Sequence, residues 1–242
     1  MQKIDQSAVL RVRTAFEDNF AREEELGAEV CLWQDGRELL RFGGGWRDAA
    51  QKQPWSEDTL VLVWSATKGP AVACVLHALQ EGGISLEAPV ASLWPEFAAA
   101  GKEKITLAQL LAHRAGLSVL VRQGLDIFDL EEVASALASQ SPVWLPDTAH
   151  GYAPRTFGYL LDAVVRRLTG MPLGAYWRKH FADPLGLDFW IGLPASGHGR
   201  VARMHATRAG GRTVDGPFEK AIIDPTSMTA RAFAQPSGLT GA

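Results

Sequence analysis

The segment Thr67 to Glu81 constrains the fold more than any other stretch of the chain. It reads as a helix, with Pro70 tolerable in the first turn and Gly82-Gly83 as its stop. Residues Ala71 to Leu79 are apolar on nearly every side, with His77 the exception. A helix apolar all round has to be buried, most simply between two layers or lobes. The short extended apolar run Leu60 to Trp64 leads into it and delivers the chain to Ser65.

Other elements follow from spacing. Val9, Val12, Phe16 and Phe20 fall on one face of a first helix, with Asp5 a candidate N-cap. Ala28–Gln34 and Arg37–Trp46 are strand-like runs around Asp35-Gly36, a two-residue hairpin signal. Gly43-Gly44-Gly45 suits a bend or a strand end. Further helices are expected at Leu107–His113, closed by Gly116, and at Leu130–Ser139, opened by the acidic turn Asp129-Leu130-Glu131-Glu132. Thr156–Thr169, closed by Gly170, is another. A shorter one near Leu173–Phe181 should end at Asp183-Pro184. After Pro194 the periodicity fades. The expected organisation is a β-containing start (1–66), a mainly helical part (67–194) and an irregular tail (195–242).

Composition excludes several classes. An apolar share of 47% suffices for a core, and 24 basic against 27 acidic side chains in 242 residues leave a net charge of −3. No long run of either sign exists, so no basic face offers itself to nucleic acid or a membrane surface. No apolar stretch approaches the roughly 18 residues needed to cross a bilayer. The N-terminal Met-Gln-Lys-Ile-Asp-Gln lacks an apolar signal core, which makes the cytoplasm the expected location. Cys31 and Cys74 have apolar neighbours and are expected as reduced core residues. The six histidines include no HExxH pair and no zinc-type spacing, so neither metal nor organic cofactor is expected. There is no Gly-x-Ser-x-Gly elbow and no phosphate-binding loop.

The chemistry concentrates in Ser65-Ala66-Thr67-Lys68. With Ser65 at the start of a helix, Lys68 lies one turn on and faces the same way. A serine hydroxyl is a weak nucleophile until a nearby base takes its proton, and a desolvated lysine can serve. The helix N-terminus favours negative charge on the serine oxygen. Taken alone, the tetrapeptide is equally a capping serine followed by a solvated lysine.

Four ordered blocks decide between these. Trp64-Ser65-Ala66-Thr67-Lys68, with its buried helix and Gly82-Gly83-Ile84-Ser85-Leu86, resembles the active-site segment of the serine β-lactamase and DD-peptidase superfamily. Ile105 to Leu117, containing Leu110-Leu111-Ala112-His113-Arg114-Ala115-Gly116-Leu117, resembles that superfamily's Leu-Leu-x-His-x-x-Gly-Leu segment. Gly151-Tyr152-Ala153-Pro154-Arg155-Thr156 and Asp183-Pro184-Leu185-Gly186-Leu187-Asp188-Phe189-Trp190-Ile191-Gly192 continue the likeness in the same order. The wording is most similar to family VIII carboxylesterases, which resemble class C β-lactamases. The implied fold class is α+β and β-lactamase-like: an antiparallel sheet flanked by helices, plus a mainly helical lobe.

The resemblance implies that Ser65 is the nucleophile, Lys68 its proton partner and Tyr152 a second general base. Trp64, Trp144 and Tyr159 are candidates for lining an acyl pocket. His113, at a helix end, is expected to be a structural hydrogen-bonding residue. Two departures matter. Penicillin-recognising members carry Tyr-x-Asn where this chain has Tyr152-Ala153-Pro154, which points away from β-lactams and toward small esters. The third motif, a Lys-Thr-Gly or His/Trp-x-Gly triplet on a C-terminal strand, has no counterpart. Gly197-His198-Gly199 follows Trp190-Ile191-Gly192-Leu193-Pro194 directly, where the family has a loop, and is expected to be a turn. The resemblance thus implies an architecture incomplete at the C-terminus, ending near Gln235-Pro236-Ser237. An oxyanion hole lacking one N–H loses about 100- to 1,000-fold in rate. The expected activity is acyl-enzyme cleavage of small carboxylic esters. The alternatives are a β-lactamase or D-amino-acid peptidase, or a catalytically silent domain of this fold. The open edge of the hairpin makes a second copy of the chain a candidate partner.

Overall fold

The computed structural model describes residues 6–22, 25–205 and 216–234. Its elements run α1 (Gln6–Ala21), β1 (Gly27–Gln34), β2 (Arg37–Gly45), α2 (Lys68–Glu81), α3 (Leu107–Leu111), α4 (Leu130–Ser139), α5 (Thr156–Thr169), α6 (Leu173–Trp177), α7 (Asp183–Leu185), α8 (Pro217–Ile223) and α9 (Met228–Ala234). They divide into two units, one of residues 6–62 with 193–205, the other of 63–192 with 216–234. This division differs from the three segments expected along the chain. Asp5 and Gln235-Pro236-Ser237 lie outside the described residues.

In the first unit β1 and β2 form an antiparallel hairpin around Asp35 and Gly36, both at positive φ, with a register shift between Leu32 and Trp33. Val9, Val12, Phe16 and Phe20 of α1 are half-buried, as their spacing predicts. Phe16 meets Phe42 edge-on at 5.0 Å. That cover ends partway along the sheet: β1 is half-buried from Gly27 to Val30 and exposed from Cys31 onward. Cys31 is therefore an exposed thiol rather than a core residue, whereas Cys74 is buried; both are free. The triple glycine stays in the ladder at its end, opposite Gly27 to Glu29. Leu60 pairs with the returning chain: its N–H donates to Arg200 O and its carbonyl accepts from Ala202 N, at 3.0 and 2.8 Å. Arg200 Nε also donates to Asp58 O at 2.9 Å. These bonds explain why residues 193–205 belong to this unit. Gly197-His198-Gly199 lies in the 3-10 turn Ala195–Arg200, not on a strand.

The second unit is built around α5. Phe157, Leu160, Leu161, Val164 and Val165 repeat at i, i+3, i+4, i+7 and i+8, and all are buried. That stripe packs against α2, α4 and α6. Arg166 and Arg167 complement the last turn, and Gly170 closes it at φ +73°. Asp162, on the same helix, is held by Arg166 Nε at 2.5 Å and accepts Leu173 N–H at 2.8 Å, tying α5 to the start of α6. The α2 helix buries Ala71, Cys74, Val75, Ala78 and Leu79, while Leu76 stays 42% exposed. The prediction of burial on every side is thus only partly met, because α5 and α6 approach one side of the helix.

Two helix ends also move. A capping box between Thr106 and Gln109 starts α3, but the helix stops at Leu111, two residues before His113. The expected stop at Asp183-Pro184 instead falls at Gly186, because a π turn (Arg178–Ala182) carries the helical path into α7, where Pro184 sits in a first turn. Past residue 215 the chain forms α8 and α9, each seven residues long. No helix among the described residues is long and apolar enough to cross a membrane.

Candidate active site

The 3-10 turn Trp64–Thr67 runs straight into α2 and sets Ser65 and Lys68 one turn apart. Lys68 Nζ donates to Ser65 Oγ at 3.0 Å. Trp64, immediately before the serine, is held at φ +48° and is half exposed. The left-handed region costs a bulky side chain roughly 1–2 kcal/mol, and such strain collects at functional turns. The Tyr152 hydroxyl reaches the same oxygen, donating to Ser65 Oγ at 2.5 Å. Lys68 Nζ makes a second bond, to the Pro154 carbonyl at 3.1 Å, and lies 4.9 Å from the centre of the Tyr152 ring. An exposed serine oxygen thus has two proton-carrying groups within hydrogen-bond reach.

A second segment lays out the loop that carries Tyr152. His113 O accepts from Gly151 N, Arg114 O from Asp147 N, and Gly116 O from Val143 N, at 3.1, 3.0 and 2.8 Å. Leu117 O takes the hydroxyl of the fully buried Thr156 at 2.7 Å. Residues 113–117 are therefore a template along which residues 143–156 are aligned. Gly116 allows the close approach: at φ +72°, an added Cβ would lie 2.7 Å from Trp144 O and 2.8 Å from Pro142 Cβ. At Gly151 a Cβ would strike the Trp144 ring at 2.2 Å.

Trp144 therefore packs directly beside the tyrosine loop, and its buried indole Nε1 has no partner among the described residues. Tyr159 is buried in α5, and its hydroxyl donates to Ile127 O at 3.1 Å rather than to the serine group. The structure thus brings Ser65, Lys68 and Tyr152 together, sets Trp64 and Trp144 next to them in sequence or space, and places Tyr159 in the core. The Pro154 carbonyl was not foreseen as a partner of Lys68. Only its position two residues after Tyr152 marked it.

His113 is the most perturbed histidine. Burial, then the charges of Lys68 and His150, lower it to about 4. Its proton is therefore held less tightly in the fold than in the unfolded chain, where the value is 6.5. The stability linked to this one group is fully present above about pH 6.5 and is lost as pH falls toward 4. Urea unfolding of the wild type and of His113→Asn should show a steeper acid loss in the wild type, since asparagine does not titrate. Equal slopes between pH 6.5 and 4 would refute this. Among the described residues no group of three or more His, Cys, Asp or Glu is placed to hold a metal ion.

A family model described as Beta-lactamase matches residues 12–235. The chain is 36% identical over 196 residues to Esterase/beta-lactamase LipL of Mycobacterium tuberculosis, covering 78% of this chain and 45% of the relative. It is 31% identical over 200 residues to Esterase EstB of Burkholderia gladioli, covering 75% and 50%. Among solved structures, a family VIII carboxylesterase superposes with a TM-score of 0.80 at 38% identity, over 96% of this chain and 60% of the other. The chain thus spans about half the length of these curated relatives.

Proposed function

Because the chain belongs to the beta-lactamase family, we propose that it is a serine hydrolase that forms an acyl-enzyme on Ser65 and cleaves small carboxylic esters. The observation that carries this reading is the convergence of Lys68 Nζ and the Tyr152 hydroxyl on Ser65 Oγ, at 3.0 and 2.5 Å. In the reactive form one of these two groups has given up its proton and accepts the serine's as Oγ bonds to the ester carbonyl carbon. The tetrahedral adduct collapses, the carbon–oxygen bond to the alcohol breaks, and the stored proton leaves on that alcohol. Water then attacks the acyl carbon, its proton passes to the same base, and the acyl–Oγ bond breaks. The proton returns to Oγ and the acid departs. Trp64, next to the serine in sequence, and Trp144, packed at Gly151, are the candidates for lining the acyl side in this reading.

Esters are favoured over β-lactams because position 154 is a proline, whose side chain has no amide to hold a β-lactam substituent. β-Lactam hydrolysis remains the second reading, favoured by the esterase/beta-lactamase name of the Mycobacterium tuberculosis relative. The full chain should be labelled on Ser65 by a fluorophosphonate probe, with labelling abolished in Ser65→Ala, and should turn over p-nitrophenyl acetate in preference to nitrocefin. Nitrocefin preference would sink the ester reading. A folded sample that does not label would establish a silent domain instead.

A further inference from the structure

His113 touches none of the atoms that would react, yet it grips the tyrosine loop on both sides of Tyr152. Its carbonyl oxygen accepts from Gly151 N–H at 3.1 Å. Its ring Nδ1 accepts from Ala153 N–H at 3.2 Å. One residue therefore holds the backbone N–H groups of both sequence neighbours of the tyrosine. The ring itself is contacted from two directions: it lies tilted against Phe157 at 4.3 Å and an interplanar angle of 32°, and meets the Tyr152 ring at 5.2 Å. His113 stands at φ +58°, so the backbone just past α3 is turned to present carbonyl and imidazole to the same loop.

Resting on the serine-hydrolase reading above, we infer that His113 is a positioning residue that registers the Tyr152 hydroxyl against Ser65 Oγ, and does so only as a neutral imidazole with its proton on Nε2. The chemistry requires that tautomer. Ala153 N–H needs a lone pair on Nδ1, and a protonated ring would set donor against donor. The groups facing the ring act in the same direction. Lys68 from α2 and His150 from the loop both oppose a second positive charge, and burial opposes it further. The Tyr152 phenol and the Phe157 ring complete the surroundings. Acid that protonates His113 should release the Ala153 side of the grip and let the tyrosine drift from the serine.

The test compares the wild-type chain with His113→Ala and His113→Asn. Asparagine keeps an acceptor near the Nδ1 position and tolerates the left-handed backbone, whereas alanine does neither. In His113→Ala the acylation rate with a fluorophosphonate and kcat for p-nitrophenyl acetate should fall roughly 10- to 100-fold with KM little changed, the signature of a misplaced proton acceptor. His113→Asn should recover most of that loss and lack the acid limb near pH 4 that the wild type shows. Nitrogen NMR of the imidazole should show the Nε2–H tautomer from roughly pH 8 down to about 5, and Ala153 amide exchange should accelerate in His113→Ala. Wild-type kcat in His113→Ala would overturn the inference, as would a ring that titrates near 6.5 without loosening the Ala153 amide. If the wild type never labels, the hydrolase reading fails on its own. The tautomer and the Ala153 amide still decide for or against the grip.

Discussion

Tyr152→Phe should fold normally and lose about 100- to 10,000-fold in turnover of p-nitrophenyl acetate, the range a positioned general base or acid supplies. The substitution removes one oxygen and leaves the ring, so the tilted contact with the His113 ring and the charge of Lys68 beside it persist. What disappears is the group 2.5 Å from the serine oxygen. Lys68, at 3.0 Å, then remains as the single proton carrier. The loss should appear in kcat with KM little changed, because a proton-transfer group works in the transition state rather than in ground-state binding. A Tyr152→Phe enzyme within tenfold of the wild type would make Lys68 the working base and reduce the tyrosine to a wall of the site.

Phe157→Ala should cost about 3–5 kcal/mol of unfolding free energy, read as a lower midpoint in urea at unchanged slope. The side chain is 2% exposed at the start of α5 and belongs to the stripe that α2 and α4 pack against. Its removal leaves a cavity that a helix wedged on three sides cannot readily close. Phe157 is also the surface on which the His113 ring rests. The variant should therefore lose activity while still folded, at denaturant-free conditions and neutral pH. Phe157→Leu refills much of the volume and should cost nearer 1 kcal/mol. A loss under 1 kcal/mol in Phe157→Ala would show that the first turn of α5 is not part of the main core.

Local spacing accounted for α4 and α5 with their caps, for the hairpin turn at Asp35-Gly36, and for the pairing of Ser65 with Lys68, since each depends on neighbours within a few residues. Contacts between distant segments could not be obtained that way. Nothing in the one-dimensional pattern brings the Tyr152 hydroxyl to Ser65, and its place rested on family likeness. α3 ends before its composition predicts: Ala112 and His113 suit a helix, while hydrogen bonds from Gly151 and Ala153 turn His113 out of it. Cys31 looked like a core residue because its neighbours are apolar, and only the reach of α1 across the hairpin decides which half is covered. Buried Lys102 gave no warning either. Its ammonium donates to the Ala99 carbonyl at 2.7 Å and to Gln140 O, while the Gln140 side chain holds Val119 and Val121 in place.

Ser65, Lys68, His113, Tyr152 and Phe157 all belong to one unbroken stretch of chain inside the second unit. A reactive constellation inherited as a single block can be copied, recombined or grafted without its members losing register with one another. Trp64 and Trp144 lie within the same stretch, so the candidate acyl-side residues would travel with the serine, lysine and tyrosine.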